Sequence, residues 1–220
     1  MTEAEWLTST DPAAMLEFLT GKASARKLRL FGCACCRLVW DRHEGESRRA
    51  VEVSERFADG AAHLGELRKA HQAVEYQGKS WYYAHPAWYA SSERPEWAWA
   101  YGLPDDEDPG DGRQVMIGNR AHYLATHSNL LHEVFGNPFA RIGVEPSWLT
   151  WNAGTVPELA TGIYEERSPL DGAFTSERLA ALADALEEAG CQDARILAHC
   201  RGPGSHFRGC WVVDLILGKE

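Results

Sequence analysis

The chain has 220 residues, of which 45% are apolar and 25% charged, and its formal net charge is −10. This is the composition of an ordinary globular protein that buries a core. The negative charge disfavours general binding to nucleic acid or to anionic membranes. No apolar run approaches the roughly 20 residues that span a bilayer, and the acidic residues 1–5 do not resemble a signal peptide. We therefore expect a cytoplasmic protein with no general nucleic-acid or membrane binding.

Helix signals dominate the chain, and we predict a mainly α fold with few or no strands. Thr2 and Glu5 have the spacing of a capping box, and Asp11-Pro12 is a favourable helix start. Apolar periodicity then predicts helices over residues 24–42, 46–58, 61–77, 114–135, 156–166, 176–189 and 193–200. The apolar run 210–217 is too short for periodicity to distinguish a strand from a helix.

The predicted organisation is a single multi-helix domain with one insertion. Residues 1–77 and 113–220 are expected to form the two parts of one helical core. Residues 78–112 are aromatic and then acidic, which favours an inserted segment with a small core of its own. Its aromatic residues are also the candidate surface for a protein partner, because tryptophan and tyrosine are enriched in binding hot spots. The tryptophans concerned are Trp81, Trp88, Trp97 and Trp99.

The C-terminal tract carries the main candidate site. Cys200, His206 and Cys210 surround a Gly-Pro-Gly turn, a spacing that lets three soft ligands wrap around one ion. Structural zinc takes four thiolate or imidazole ligands in a tetrahedron. The fourth ligand is sought in Cys36, Cys33 or His199, and Cys36 completes the predicted zinc site, which would join the tail to the core.

A second group of thiols lies on the predicted third helix. Cys33 and Cys36 are three residues apart and share a helix face, whereas Cys35 points elsewhere and is expected to be core. Cysteine is among the most buried residue types, so all three thiols are also explained as ordinary residues of an apolar core. We expect this helix to be central and the C-terminal tract to pack against it.

Other interpretations of the tract remain open. Cys200 and Cys210 also fit as buried thiols beside a tight turn. His199 would then lie near a helix C-terminus, where the helix dipole favours a positively charged side chain. The spacing matches no standard zinc finger, and nothing around the cysteines resembles a known nucleophile motif.

His122, His127 and His132 recur every five residues. On a helix this spacing turns each side chain about 140° from the last, so the three do not face one ion.

Several short stretches resemble one family. They are residues 1–7, 27–31, 34–37 and 49–53 near the start, and residues 146–152, 182–187 and 196–220 further on. They are similar to a large set of uncharacterised paralogous proteins of planctomycete bacteria, some of which are grouped with repeat-companion modules. The resemblance implies that both ends belong to one structural unit with a replaceable middle. The family has no established activity, so the resemblance identifies no catalytic residues.

The function predicted from the sequence is a non-catalytic cytoplasmic binding or adaptor protein, in which zinc is the candidate cofactor. The alternative is a thiol- or metal-dependent enzyme that uses Cys200, His206 and Cys210.

Overall fold

The computed structural model describes residues 1–75, 87–94, 120–140 and 142–219. Within these ranges the regular structure is helical, apart from one isolated antiparallel bridge between Phe174 and His206, so the mainly α prediction is confirmed. No helix among them has the length and apolar character that crossing a membrane requires. The helices are α1 (Glu3–Thr8), α2 (Pro12–Leu19), α3 (Ala25–Arg37), α4 (Gly45–Ala58), α5 (Leu64–Glu75), α6 (Arg120–Phe135), α7 (Pro146–Thr150), α8 (Thr155–Glu165), α9 (Ser176–Glu188), α10 (Ala194–Arg201) and α11 (Trp211–Leu217).

The chain divides into two compact units, an N-terminal unit (Met1–Asn137) and a C-terminal unit (Pro138–Glu220). The boundary falls inside the segment 113–220 that the sequence analysis assigned to one part of a single core. Helix α6, which begins that segment, packs against α2 and α3 of the N-terminal unit. One core for both parts of the chain, with the tail against the thiol helix, stays a prediction.

Local signals placed the first helices correctly. The backbone N–H of Thr2 donates to Glu5 Oε2 at 2.7 Å, and the N–H of Glu5 donates to Thr2 Oγ1, which completes the capping box. The predicted third helix was too long, since α3 ends at Arg37 and a 3-10 turn follows at Trp40–Arg42. The backbone leaves the helical region at Val39, and the Trp40 ring lies 3.8 Å from the Arg37 guanidinium. The contact between Arg37 and Trp40 is thus made across the end of α3.

In the N-terminal unit, α3 is the central helix and is buried from Arg29 to its end at Arg37. It packs against α4 and α6. Residues 87–94, part of the predicted insertion, are held here by Arg29. Its guanidinium donates to the backbone carbonyls of Ser92 at 2.7 Å and Ala90 at 3.3 Å. A described piece of the insertion is therefore part of this unit's core, which includes Cys33, Cys36, Trp40, Val51, Ala87 and Ala90.

In the C-terminal unit, α8 lies at the centre and packs against α7, α9 and α11. The run 210–217, which the sequence left undecided between strand and helix, forms helix α11 from Trp211 onwards. Its Val212, Val213 and Ile216 are buried at helical spacing, and the N–H of Asp214 donates to the carbonyl of Cys210 at 2.9 Å. Helix α10 packs against α9 and α11, so the two helices that flank the Gly-Pro-Gly turn are neighbours in space.

Candidate metal centre

The backbone around the turn directs three side chains to one place. His199 lies in the last turn of α10, and Cys210 immediately precedes α11. His206 lies between them, and its carbonyl accepts a hydrogen bond from the N–H of Phe174 at 2.7 Å. At Gly202 the chain passes close to the backbone of α10 as the helix ends. Glycine suits this position because a Cβ there would lie 3.1 Å from the carbonyl oxygen of Ala198. Gly209, with φ 97°, brings the chain into α11.

His199, His206 and Cys210 each offer a ligand atom within 4.8 Å of the others. Their side chains are largely shielded, since His206 is 3% exposed, Cys210 is 0% exposed and His199 is half-buried. The imidazole rings of His199 and His206 meet edge to face, with centroids 4.8 Å apart. The C-terminal unit therefore contains a Cys/His cluster that could hold a metal ion.

The separation between His199 and Cys210 is close to that of two ligands on one small tetrahedral ion. Zinc bonds of about 2.3 Å to sulfur and about 2.0 Å to nitrogen place the two ligand atoms of one edge roughly 3.5 Å apart. Nε2 of His199 lies 3.2 Å from Sγ of Cys210. An ion bound to both atoms would hold them a few tenths of an ångström further apart than they are here.

A tryptophan decides the tautomer of His199. The indole Nε1–H of Trp211 donates to Nδ1 of His199 at 3.0 Å. Indole only donates, so Nδ1 is the acceptor, and a neutral imidazole then carries its proton on Nε2. That proton points at Cys210, and the Nε2–H donates to the Cys210 sulfur.

The predicted ligands have different surroundings. His206 and Cys210 come together with His199, which the sequence analysis named as one choice for the fourth ligand. Cys200 is 1% exposed and lies in the apolar core beside Ile196. Because it lies about 100° round the helix from His199, its position favours the plain core interpretation, and its role as a ligand stays a prediction.

Cys36 lies in the core of the N-terminal unit, where it contacts apolar groups that include Cys33 and Trp40. Burial raises its pKa well above the ordinary range, and it raises the pKa of Cys33 to about 12. These surroundings favour neutral thiols. Cys36 as the fourth ligand stays a prediction.

The other candidates from the sequence have separate partners. Nδ1 of His127 hydrogen-bonds to the carbonyl of Tyr123 at 2.8 Å, and Nε2 of His132 to the carbonyl of Trp6 at 2.9 Å. Trp88 is half-buried with its ring 4.7 Å from that of His71. The other tryptophans named for a partner surface, Trp81, Trp97 and Trp99, lie outside the described residues.

Comparison with protein-family models, with curated proteins and with solved structures found no match. The sequence analysis gave Trp211 no role. No spacing rule could have found it, since its contact with His199 depends on how the turn returns the chain.

Proposed function

We propose that this is a non-catalytic binding protein whose C-terminal unit is stabilised by a zinc-like ion held by His199, His206 and Cys210. The observation that carries the proposal is the convergence of these three ligand atoms within 4.8 Å in a shielded place. Thiolate and imidazole are the ligands that zinc prefers. The ion would tie the end of α10, the turn and the start of α11 together.

Burial supports a structural role over a catalytic one. A catalytic zinc keeps one position open to substrate, and a reactive cysteine is partly exposed. Cys210 is 0% exposed and His206 is 3% exposed. Three ligands from this unit leave one tetrahedral position for a further group, for which the sequence analysis offers Cys36.

The hydrogen-bond directions also argue against His199 as a base for a Cys210 nucleophile. A general base must present a lone pair to the thiol, but here Nε2 carries the proton because Nδ1 accepts from Trp211. The hydrogen bond from Trp211 therefore works against the arrangement in which Nε2 of His199 accepts the Cys210 proton.

Cobalt substitution tests the site directly. The full chain, prepared without a histidine tag, is titrated with Co²⁺ and then with Zn²⁺, and absorption is recorded. We expect about one ion per chain, tetrahedral d–d bands and a thiolate-to-cobalt charge-transfer band. Cys210→Ser should abolish the charge-transfer band, and His206→Gln should weaken binding.

Cys200→Ser is the matched control, because Cys200 is an equally buried thiol of the same unit. It should keep the charge-transfer band. Wild-type protein that is well folded by circular dichroism but takes up neither ion would refute the metal site. A band that disappears in Cys200→Ser and persists in Cys210→Ser would reassign the thiol ligand to the one that the sequence analysis predicted first.

The binding role depends on the aromatic segment 78–112 and stays a proposal. We propose a reducing, cytoplasmic setting, which the cysteines support: all six lie in described residues, all are buried, and none is joined in a disulfide. Such thiols are typical of intracellular proteins.

A further inference from the structure

The hydrogen bond between Trp211 and His199 has a consequence for any ion at this site. Nδ1 of His199 accepts from the Trp211 indole, and Nε2 carries the proton that faces Cys210. Neither ring nitrogen therefore presents an unengaged lone pair in this arrangement. A metal ion needs one.

Each way of recruiting His199 removes the indole hydrogen bond. If the ion binds Nδ1, it takes the lone pair that the indole uses. If it binds Nε2, the proton moves to Nδ1, and two N–H donors then oppose each other at a site whose heavy atoms lie 3.0 Å apart. In both cases Trp211 or the imidazole must rotate.

We infer that Trp211 competes with the metal ion for His199, so that the cluster has two alternative states. In the metal-free state the indole N–H holds His199 in the Nε2–H tautomer and the Nε2–H donates to Cys210. In the metal-bound state the ion takes His199 and the indole is released. This inference rests on the proposed metal site and assigns Trp211 as a residue that sets its affinity.

The position of Trp211 suits such exchange. It is the first residue of α11, adjacent to Cys210, and it is half-buried. Its indole lies at the edge of the core, with its ring centroid 5.1 Å from that of His199. Release of the indole N–H towards water leaves no buried donor without an acceptor, which keeps the cost of the exchange low.

The first test measures affinity. Zn²⁺ dissociation constants are determined by competition with a chromophoric chelator for the wild type, Trp211→Phe and Trp151→Phe. Trp151 is the matched control, a half-buried tryptophan that packs against the apolar core of the same unit. We expect Trp211→Phe to bind Zn²⁺ about threefold to tenfold more tightly, the equivalent of one net hydrogen bond, and Trp151→Phe to bind as the wild type does.

The second test observes the hydrogen bond in the wild type and does not depend on a variant that folds. In protein labelled with ¹⁵N at tryptophan and histidine, the metal-free spectrum should show a hydrogen-bonded Trp211 indole proton and the Nε2–H tautomer of His199. Zn²⁺ should shift that indole resonance and change the His199 nitrogen pattern. The Trp151 indole should stay in place.

The outcomes separate this inference from the proposed function. If the wild type binds Zn²⁺ but Trp211→Phe binds no more tightly and the indole resonance does not move, the competition is refuted and the metal site survives. If the wild type and Trp211→Phe both fail to bind while remaining folded, the metal site is refuted and the competition with it.

Discussion

Arg37 and Glu55 form a two-point ion pair in the interior of the N-terminal unit. Nε and Nη2 of Arg37 each donate to one carboxylate oxygen of Glu55 at 2.9 Å, and the side chains are 5% and 3% exposed. The pair joins α3 to α4, and the Arg37 guanidinium also lies 3.8 Å from the Trp40 ring. Removing one partner would leave the other charge buried.

We therefore predict that Glu55→Ala lowers the free energy of unfolding by about 3 to 5 kcal/mol, because it leaves the Arg37 charge without its counter-ion. Urea denaturation measures the change. The control is Glu66→Ala, which breaks the Arg56–Glu66 pair, whose side chains are 46% and 38% exposed. It should cost less than about 1 kcal/mol.

The double variant Arg37→Met, Glu55→Leu sharpens this prediction. It removes both charges and should recover most of the stability, since apolar pairs of similar volume often replace buried ion pairs without loss. A double variant as unstable as Glu55→Ala would contradict an explanation based on uncompensated charge.

His43 predicts a loss of stability in acid. It is 1% exposed, and its ring nitrogens have no hydrogen-bond partner among the residues that the structure describes. Burial, followed by the charges of Arg48 and Arg37, lowers its pKa from 6.5 to about 4. Between these values the unfolded chain binds a proton that the folded chain does not, so stability falls as pH falls from 6.5 towards 4.

The His43 contribution to this loss is at most about 3 kcal/mol. Denaturation curves of the wild type and His43→Gln across this pH range isolate it, because the variant should lack that part of the slope. His63→Gln is the control, since the side chain of His63 is 77% exposed, and it should follow the wild type. Parallel curves for the wild type and His43→Gln would contradict this prediction, because they would mean that folding does not lower the pKa of His43.

The thiols of α3 should be chemically inert in the native protein. Burial is the main cause that raises the pKa of Cys33 to about 12 and shifts Cys35 and Cys36 in the same direction. Thiolate is the reactive form, so iodoacetamide at mildly alkaline pH should leave all three unmodified in the folded chain and modify them in guanidinium chloride. Peptide mass spectrometry reads each site. Rapid native modification of Cys36 would instead favour a reactive thiol.

Arg29 should control the order of residues 87–94. Its guanidinium bonds to the carbonyls of Ala90 and Ser92, and Ser54 Oγ donates to the Ala90 carbonyl at 2.5 Å. We predict that Arg29→Met speeds amide hydrogen exchange in this segment, because the Ser92 carbonyl loses the Arg29 donor and the Ala90 carbonyl loses one of its donors. Arg26→Met is the control: Arg26 lies on the same helix but binds Asp59. Equal exchange in both variants would contradict the tethering role of Arg29.

Zinc should protect one region selectively. A ligand that binds only the folded state stabilises it by about 3 kcal/mol at a hundredfold excess over its dissociation constant. Hydrogen exchange of the full chain should therefore slow in peptides from 196–217 when Zn²⁺ is added, and chelator should reverse the effect. Protection that persists in His206→Gln would argue that the ion binds elsewhere.

Local signals in the amino-acid sequence determined most of the helices among the described residues. Capping residues such as Thr2 and Asp11 act on backbone groups within a few positions of themselves. The buried residues of α9 recur at helical spacing, as Leu179, Leu182 and Leu186 do. Both signals are local. Local signals predicted the end of α3 less well. Helix α3 ends at Arg37, ahead of the predicted end, next to the pair that Arg37 makes with Glu55, 18 residues away.

The C-terminal cluster was predicted in part. Its histidines and cysteines are near in sequence, so the turn alone favours their convergence, and His206 and Cys210 do meet. The choice of His199 over Cys200 depends on which face of α10 the apolar core of the C-terminal unit covers. The role of Trp211 depends on a hydrogen bond across 12 residues of chain. Only the tertiary structure decides such contacts, because packing, rather than local backbone preference, sets the distance between side chains on different elements.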